Sequence, residues 1–185
     1  MPELDVDFVR SQFPAFASAA LKGQAFFENA GGSYTAKPVI DRLTRFYHDR
    51  KVQPYAPYEA SQLGGAEMDE ARARLSAMMG VARDELSFGP STSANTFVLA
   101  NAVRLWLKGK KAAIVVTNQD HEANSGVWRR LADEGIEIRE WQIDPETGHL
   151  DTEALGLLLA DGKVKLVCFP HCSNVVAEVN PVAEI

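Results

Sequence analysis

Three short segments concentrate the side chains that can do chemistry, and each follows an apolar run that reads as a strand. Gly89-Pro90-Ser91-Thr92-Ser93 leads into a helical pattern. At such a junction the free N–H groups of the first turn, the helix dipole and the hydroxyls of Ser91, Thr92 and Ser93 can hold a phosphate. The same residues also suit an ordinary N-cap and its turn. The Walker lysine pattern is absent, which disfavours a nucleotide P-loop. The second segment, Asn118-Gln119-Asp120-His121-Glu122-Ala123-Asn124, follows Ala112 to Val116. His121 can stack on a flat heteroaromatic ring or relay a proton near neutral pH, or stand in solvent between two acids. The third, Pro170-His171-Cys172-Ser173-Asn174, follows Val167-Cys168-Phe169. There the Asn174 amide can hydrogen-bond a phenolate-like oxygen, with Ser173 in support. Asp120, His121 and Glu122, and separately Cys168, His171 and Cys172, are metal-ligand types. Adjacent residues on one loop seldom converge on one ion, and the cysteine cluster lacks a second half, so no metal site is expected.

The elements that must position these loops follow from periodicity. Asp5 to Phe13 reads as a short helix, and Ala25 to Phe27 as an apolar segment before the loop Glu28-Asn29-Ala30-Gly31-Gly32. Pro38 opens a helix whose Val39, Ile40, Leu43 and Phe46 share one face. A second helix is expected from Ala66 to Met79, stopped by Gly80. From Leu86 onward short apolar strands alternate with helices. Strands are expected at Leu86 to Phe88, Ala112 to Val116, Ile136 to Ile143 and Lys165 to Phe169. The helices between them are expected at Ser93 to Leu107, Asn124 to Glu134 and Thr152 to Ala160. That alternation predicts an α/β fold with a mainly parallel sheet and helices on its faces. In such a sheet ligands bind beyond the carboxyl ends of the strands, so the three loops are expected on one edge. Residues 1–60 are expected to form a separate amino-terminal region and 61–185 the start of the α/β domain. Asn180-Pro181 reads as the start of a helix close to the last residue, and the chain is read as truncated.

Composition narrows the function classes. The 185 residues carry a formal net charge of −6, which argues against nucleic acid or an anionic membrane as partner. No stretch reads as a membrane span, and the acidic start, MPELDVDFVR, is unlike a secretory signal. The two cysteines, four apart, make a poor disulfide framework, so a reducing cytoplasm is the expected location.

Taken together and in order, the loops resemble the amino-terminal part of the class-V aminotransferase family, which includes cysteine desulfurases, selenocysteine lyases and kynureninases. The stretch FFENAGG from Phe26, FGPSTSANTFVLA from Phe88, DHEAN from Asp120, the DPETGHL turn from Asp144 and HCSN…NP from His171 carry the resemblance. It implies a three-layer α/β/α fold of the aspartate-aminotransferase type and pyridoxal 5′-phosphate (PLP) as cofactor. It places the cofactor phosphate on Ser91, Thr92 and Ser93, ring stacking and proton relay on His121, and contact with the ring oxygen on Asn174. Asn29, Ala30 and Gly31 would face the substrate, an amino acid, and residues up to about Tyr58 would wrap a second copy in a homodimer. Pro90-Ser91 replaces the family's usual glycine-containing approach to the phosphate loop. The family's ring-nitrogen aspartate, Schiff-base lysine and desulfurase cysteine all fall later than Ile185, and none of the eight lysines here has the S-x-H-K context. The rival reading is a non-catalytic binding or dimerisation module that keeps the fold without that lysine. A dinucleotide-binding domain is disfavoured, because no strand is followed by G-x-G-x-x-G.

Overall fold

A computed structural model describes residues 3–185, which fall into two compact units, Met1–Ser87 and Phe88–Ile185. In the first unit, helix α1 (Val6–Ser11) is capped by Asp5, whose carboxylate accepts the Phe8 N–H at 2.9 Å. Helix α2 (Lys37–Arg45) begins on Pro38 as its composition predicts and widens into a π-turn over Phe46–Arg50. Its Val39, Ile40 and Leu43 stay exposed. Helix α3 (Glu59–Met79) starts seven residues before the expected Ala66. The Gly64-Gly65 pair argues against a helix by propensity. Contacts override it: a Cβ on Gly65 would meet the Tyr55 ring at 2.7 Å, and one on Gly64 would sit 3.6 Å from the Arg50 carbonyl. Gly80, at φ 69°, ends α3, with the Val81 N–H bonded to the Ser76 carbonyl in a Schellman arrangement. Helix α3 runs unbroken across residue 60, and the first unit extends to Ser87.

In the second unit, helix α4 (Thr92–Leu107) is capped by Ser91 Oγ, which accepts the Ala94 N–H at 3.2 Å. Strand β1 (Ala113–Thr117), helix α5 (Glu122–Arg129), strand β2 (Glu137–Trp141), helix α6 (Thr152–Leu159) and strand β3 (Val164–Val167) follow. The strands form one parallel sheet in the order β2-β1-β3, with Thr117 opposite Trp141 and Ile114 opposite Leu166. Central β1 is buried along its whole length, as a strand flanked on both sides and apolar up to its last residue, Thr117, must be. Alternation then divides its side chains between two layers. Ile114 and Val116 pack with Ala100 and Leu107 of α4 and Trp128 of α5. Val115 packs on the other face with Trp141, Leu150 and Leu155 of α6. The result is the three-layer α/β/α arrangement.

Three expected elements differ. Leu86 to Phe88 forms no strand, and the sheet consists of β2, β1 and β3 alone among the described residues. Ala25 to Phe27 likewise has no pairing partner. Asn180 begins only a turn, because its side chain is drawn into the hydrogen bonds described below. No helix among the described residues is long and apolar enough to cross a membrane.

Candidate functional site

The first and second loops meet at the amino ends of α4 and α5. Ser91, Ser93 and His121 line one open groove of about 640 Å3, walled by Phe97, Ala123 and Val127 and bearing Arg130 farther along α5. The helices are held together there by Thr96, whose Oγ1 lies 2.8 Å from the Ala123 carbonyl and 2.9 Å from that of Thr92. With Ser91 Oγ occupied by the Ala94 N–H, the N–H groups of Thr92 and Ser93 have no carbonyl one turn back and point out of the helix end. No acid sits in the first turn of α4, so the positive end of its dipole is left to an anion.

His121 is the N-cap of α5: its Nδ1 accepts the Ala123 N–H at 3.0 Å. A neutral ring bonded in this way carries its proton on Nε2. Asp120 sets the backbone before it. Its carboxylate accepts the His121 N–H at 2.8 Å and the Asn124 side-chain amide, and burial raises its pKa above the ordinary range against those two bonds. Cys168 is no nucleophile in this setting, since burial, and then the charge of Asp120, pushes its thiol up to about 12. Among the described residues no group of three or more histidine, cysteine or carboxylate side chains converges on one point.

The third loop joins the second through a buried polar cluster. Ser173 Oγ donates to the Gln119 carbonyl at 2.8 Å and accepts the N–H groups of Val175 and Val176, which forms the turn that begins with Asn174. Asn174 is exposed on that turn and does not line the groove, and neither does Thr92. Asn29, Ala30 and Gly31 lie on an exposed turn of the first unit.

Known proteins with this order of elements bear directly on the reading. A family model for class-V aminotransferases matches residues 25–185. The chain belongs to the class-V aminotransferase family. A probable cysteine desulfurase of Halobacterium salinarum is 30% identical over 98% of the chain, and a cysteine desulfurase of Serratia proteamaculans is 31% identical over 97%. An aminotransferase-like protein of Gibberella zeae is 32% identical over 97%. Among solved structures, a cysteine desulfurase of Thermococcus onnurineus superposes with a TM-score of 0.79 at 23% identity over the whole chain. The Escherichia coli cysteine desulfurase CsdA gives 0.79 at 18% over 98%. These two share the fold. The chain spans less than half the length of the relatives it matches, 44 to 45%.

Within this class-V aminotransferase chain, the residues that sequence reasoning missed are those that hold the loops rather than those that present functional groups. Thr96, Gln119 and Asn180 are the main ones, and Arg130 is the missed polar side chain that lines the groove. Ala123, Gly126, Val127 and Arg130 recur on α5 at spacings of three and four, so a helical wheel begun at His121 would have placed Arg130 on the groove face. Gln119 carried no such signal.

Proposed function

We propose that this class-V aminotransferase chain is the first part of the cofactor-binding domain of a PLP-dependent enzyme acting on an amino acid, of the cysteine desulfurase or selenocysteine lyase kind or a class-V aminotransferase. The observation that carries it is the single groove lined by Ser91, Ser93 and His121. Its contents suit the cofactor: a helix end, hydroxyls and Arg130 for a phosphate, an imidazole and apolar walls for a heteroaromatic ring, with Glu122 as the one acid in the lining. PLP, when bound, supplies the electron sink for a carbanion on the substrate. The Ser93 N–H and the Ser91 and Ser93 hydroxyls would hold the phosphate in the groove, and Thr92, between them in sequence but outside the groove lining, would contribute from the first turn of α4. His121, its ring fixed by capping α5, would stack on the pyridine and offer Nε2–H as the atom that exchanges a proton. Asn174 would contact the ring oxygen from the neighbouring loop. Among the described residues no lysine lines the groove, so the covalent anchor used by the resembled enzymes is not supplied there.

The same reading assigns Asn29, Ala30 and Gly31 to the substrate, a second copy of the protein to the region up to about Tyr58, and a cytoplasmic location. The exposed Phe27, Val39, Ile40 and Leu43 are the apolar surface that such a dimer would cover.

The test uses the protein as expressed from its full gene. Bound PLP is measured by absorbance, turnover by alanine and sulfide released from cysteine or by keto acid from other amino acids, and association by sedimentation. Ser93→Ala and His121→Ala are each expected to weaken PLP binding about tenfold, the equivalent of roughly 1.4 kcal/mol. A protein that takes up no PLP, or whose affinity ignores both substitutions, overturns the reading.

A further inference from the structure

Gln119 is completely buried, at a position where an apolar residue would cost less rotamer freedom and no desolvation. Its polar groups are met by three separate segments. The backbone N–H donates to Thr117 Oγ1 at the end of β1, at 2.8 Å. Side-chain Nε2 donates to the Gly148 carbonyl in the turn between β2 and α6, at 2.8 Å. Side-chain Oε1 accepts from Asn180 Nδ2 at 2.6 Å, and the backbone carbonyl accepts from Ser173 Oγ at 2.8 Å, both from the segment after β3. Asn180 also donates to the Pro170 carbonyl, and Cys172 bridges Val179, so the whole excursion from Pro170 to Asn180 is closed on itself and then fastened to Gln119.

We propose that Gln119 is a positioning residue that fixes His121 relative to Asn174. Gln119 lies two residues before His121, with only Asp120 between them, and Asp120 clamps the His121 N–H and the Asn124 amide. On the other side, the Gln119 side chain holds Asn180, which closes the excursion carrying Asn174, while its backbone carbonyl accepts from the Ser173 hydroxyl that shapes the Asn174 turn. A shift of either loop is therefore transmitted through Gln119 to the other. The register of β1 with β3 ends at Val115 opposite Val167, short of both His121 and Asn174. Gln119 does not line the groove and touches no reacting group, so its part is geometric. The functional weight of this coupling rests on the reading that His121 and Asn174 contact PLP. The coupling of the two loops stands on its own.

The experiment compares Gln119→Leu and Gln119→Glu with Leu107→Val in the protein expressed from its full gene. Leu107 is buried at the far end of α4 and lowers stability without touching the loops. Amide exchange is followed at 118–124, 147–149 and 171–176, and PLP affinity by fluorescence titration. Gln119→Leu is expected to speed exchange in all three segments and to weaken PLP binding about tenfold. Gln119→Glu keeps the acceptor for Asn180 and, in its ionised form, removes the donor to Gly148. It is expected to loosen 147–149 and spare 171–176, and it serves as the probe if the leucine variant fails to fold. Leu107→Val is expected to lower the melting temperature with neither segment-specific exchange nor altered affinity. Faster exchange in only one loop with Gln119→Leu, or the same pattern from Leu107→Val, overturns the inference. Coupled exchange in a protein that binds no PLP overturns the proposed function and leaves the inference standing.

Discussion

Every fully buried apolar side chain among the described residues lies at or beyond Ala100, in the unit Phe88–Ile185. In the other unit α1 and α2 bury nothing completely, and α3 buries only Ser61, Gly64, Gly65 and Ser76. Polar and aromatic contacts hold that unit instead. Arg42, Arg45 and Arg50 all converge on Glu67, Ser61 Oγ accepts the Ala56 N–H and donates to the Gln53 carbonyl, and Phe16 and Phe26 pack against Tyr34. Hydrophobic burial scales with apolar area removed from water, whereas exposed ion pairs contribute little each. The α/β unit therefore has the means to fix loop geometry by itself, and the amino-terminal unit has an apolar surface still to be covered.

The largest expected effect tests that contrast head-on. Ile114→Ala opens a cavity between α4, α5 and the sheet and should cost about 2–5 kcal/mol by denaturant titration. Val39→Ala on exposed α2 should stay within about 0.5 kcal/mol. Comparable losses would mean that α2 is packed in solution, as in a dimer, and diluting the sample would then separate the two values.

Each unit also holds one non-glycine residue in the left-handed region, Tyr55 at φ 67° and Ala177 at φ 59°. The Ala177 side chain is exposed, so Ala177→Gly should relieve strain and raise stability by roughly 0.5–1 kcal/mol, net of the glycine's greater unfolded-state entropy. Tyr55→Gly should bring no such gain. It discards the Tyr55 Oη hydrogen bond to Asp69 at 2.9 Å and the ring lying over Gly65. A gain at Tyr55 measured by thermal unfolding would show those contacts to be idle.

The smallest effect concerns acid. Burial pulls the Glu67 pKa up, but the Arg50 hydrogen bond and the charges of Arg42 and Arg45 outweigh it and leave the pKa lowered. Asp161 is held well below the ordinary range by Arg139, which donates from two nitrogens at 2.9 and 2.6 Å. Both acids ionise more readily folded than unfolded. Their contribution is complete above the ordinary carboxylate range near pH 4 and is lost as pH falls through the folded values. Amide exchange down a pH series should therefore show α2 and α3 opening before the sheet, since only the sheet keeps an uncharged core. Glu67→Gln should flatten the response of the first unit alone, and Asp161→Asn that of the second. Simultaneous opening would mean that the two units unfold as one.

The strand–helix alternation after Leu86 and the three loops were legible in the residues, because the pitch of apolar runs and an N-cap serine such as Ser91 are local signals. Sequence by itself thus determined the α/β class and the family resemblance, and it singled out the hydroxyls and imidazole to which the proposed function assigns a phosphorylated ring. Tertiary structure decided what spacing does not encode. It carried α3 through Gly64-Gly65, because Tyr55 and Arg50 occupy the space a side chain would need. It left Leu86 to Phe88 out of the three-stranded sheet, because apolar composition alone does not supply ladder hydrogen bonds. It turned Asn180 from a helix cap into a partner of Gln119, 61 residues away, because a buried amide must find its hydrogen bonds wherever the fold brings them.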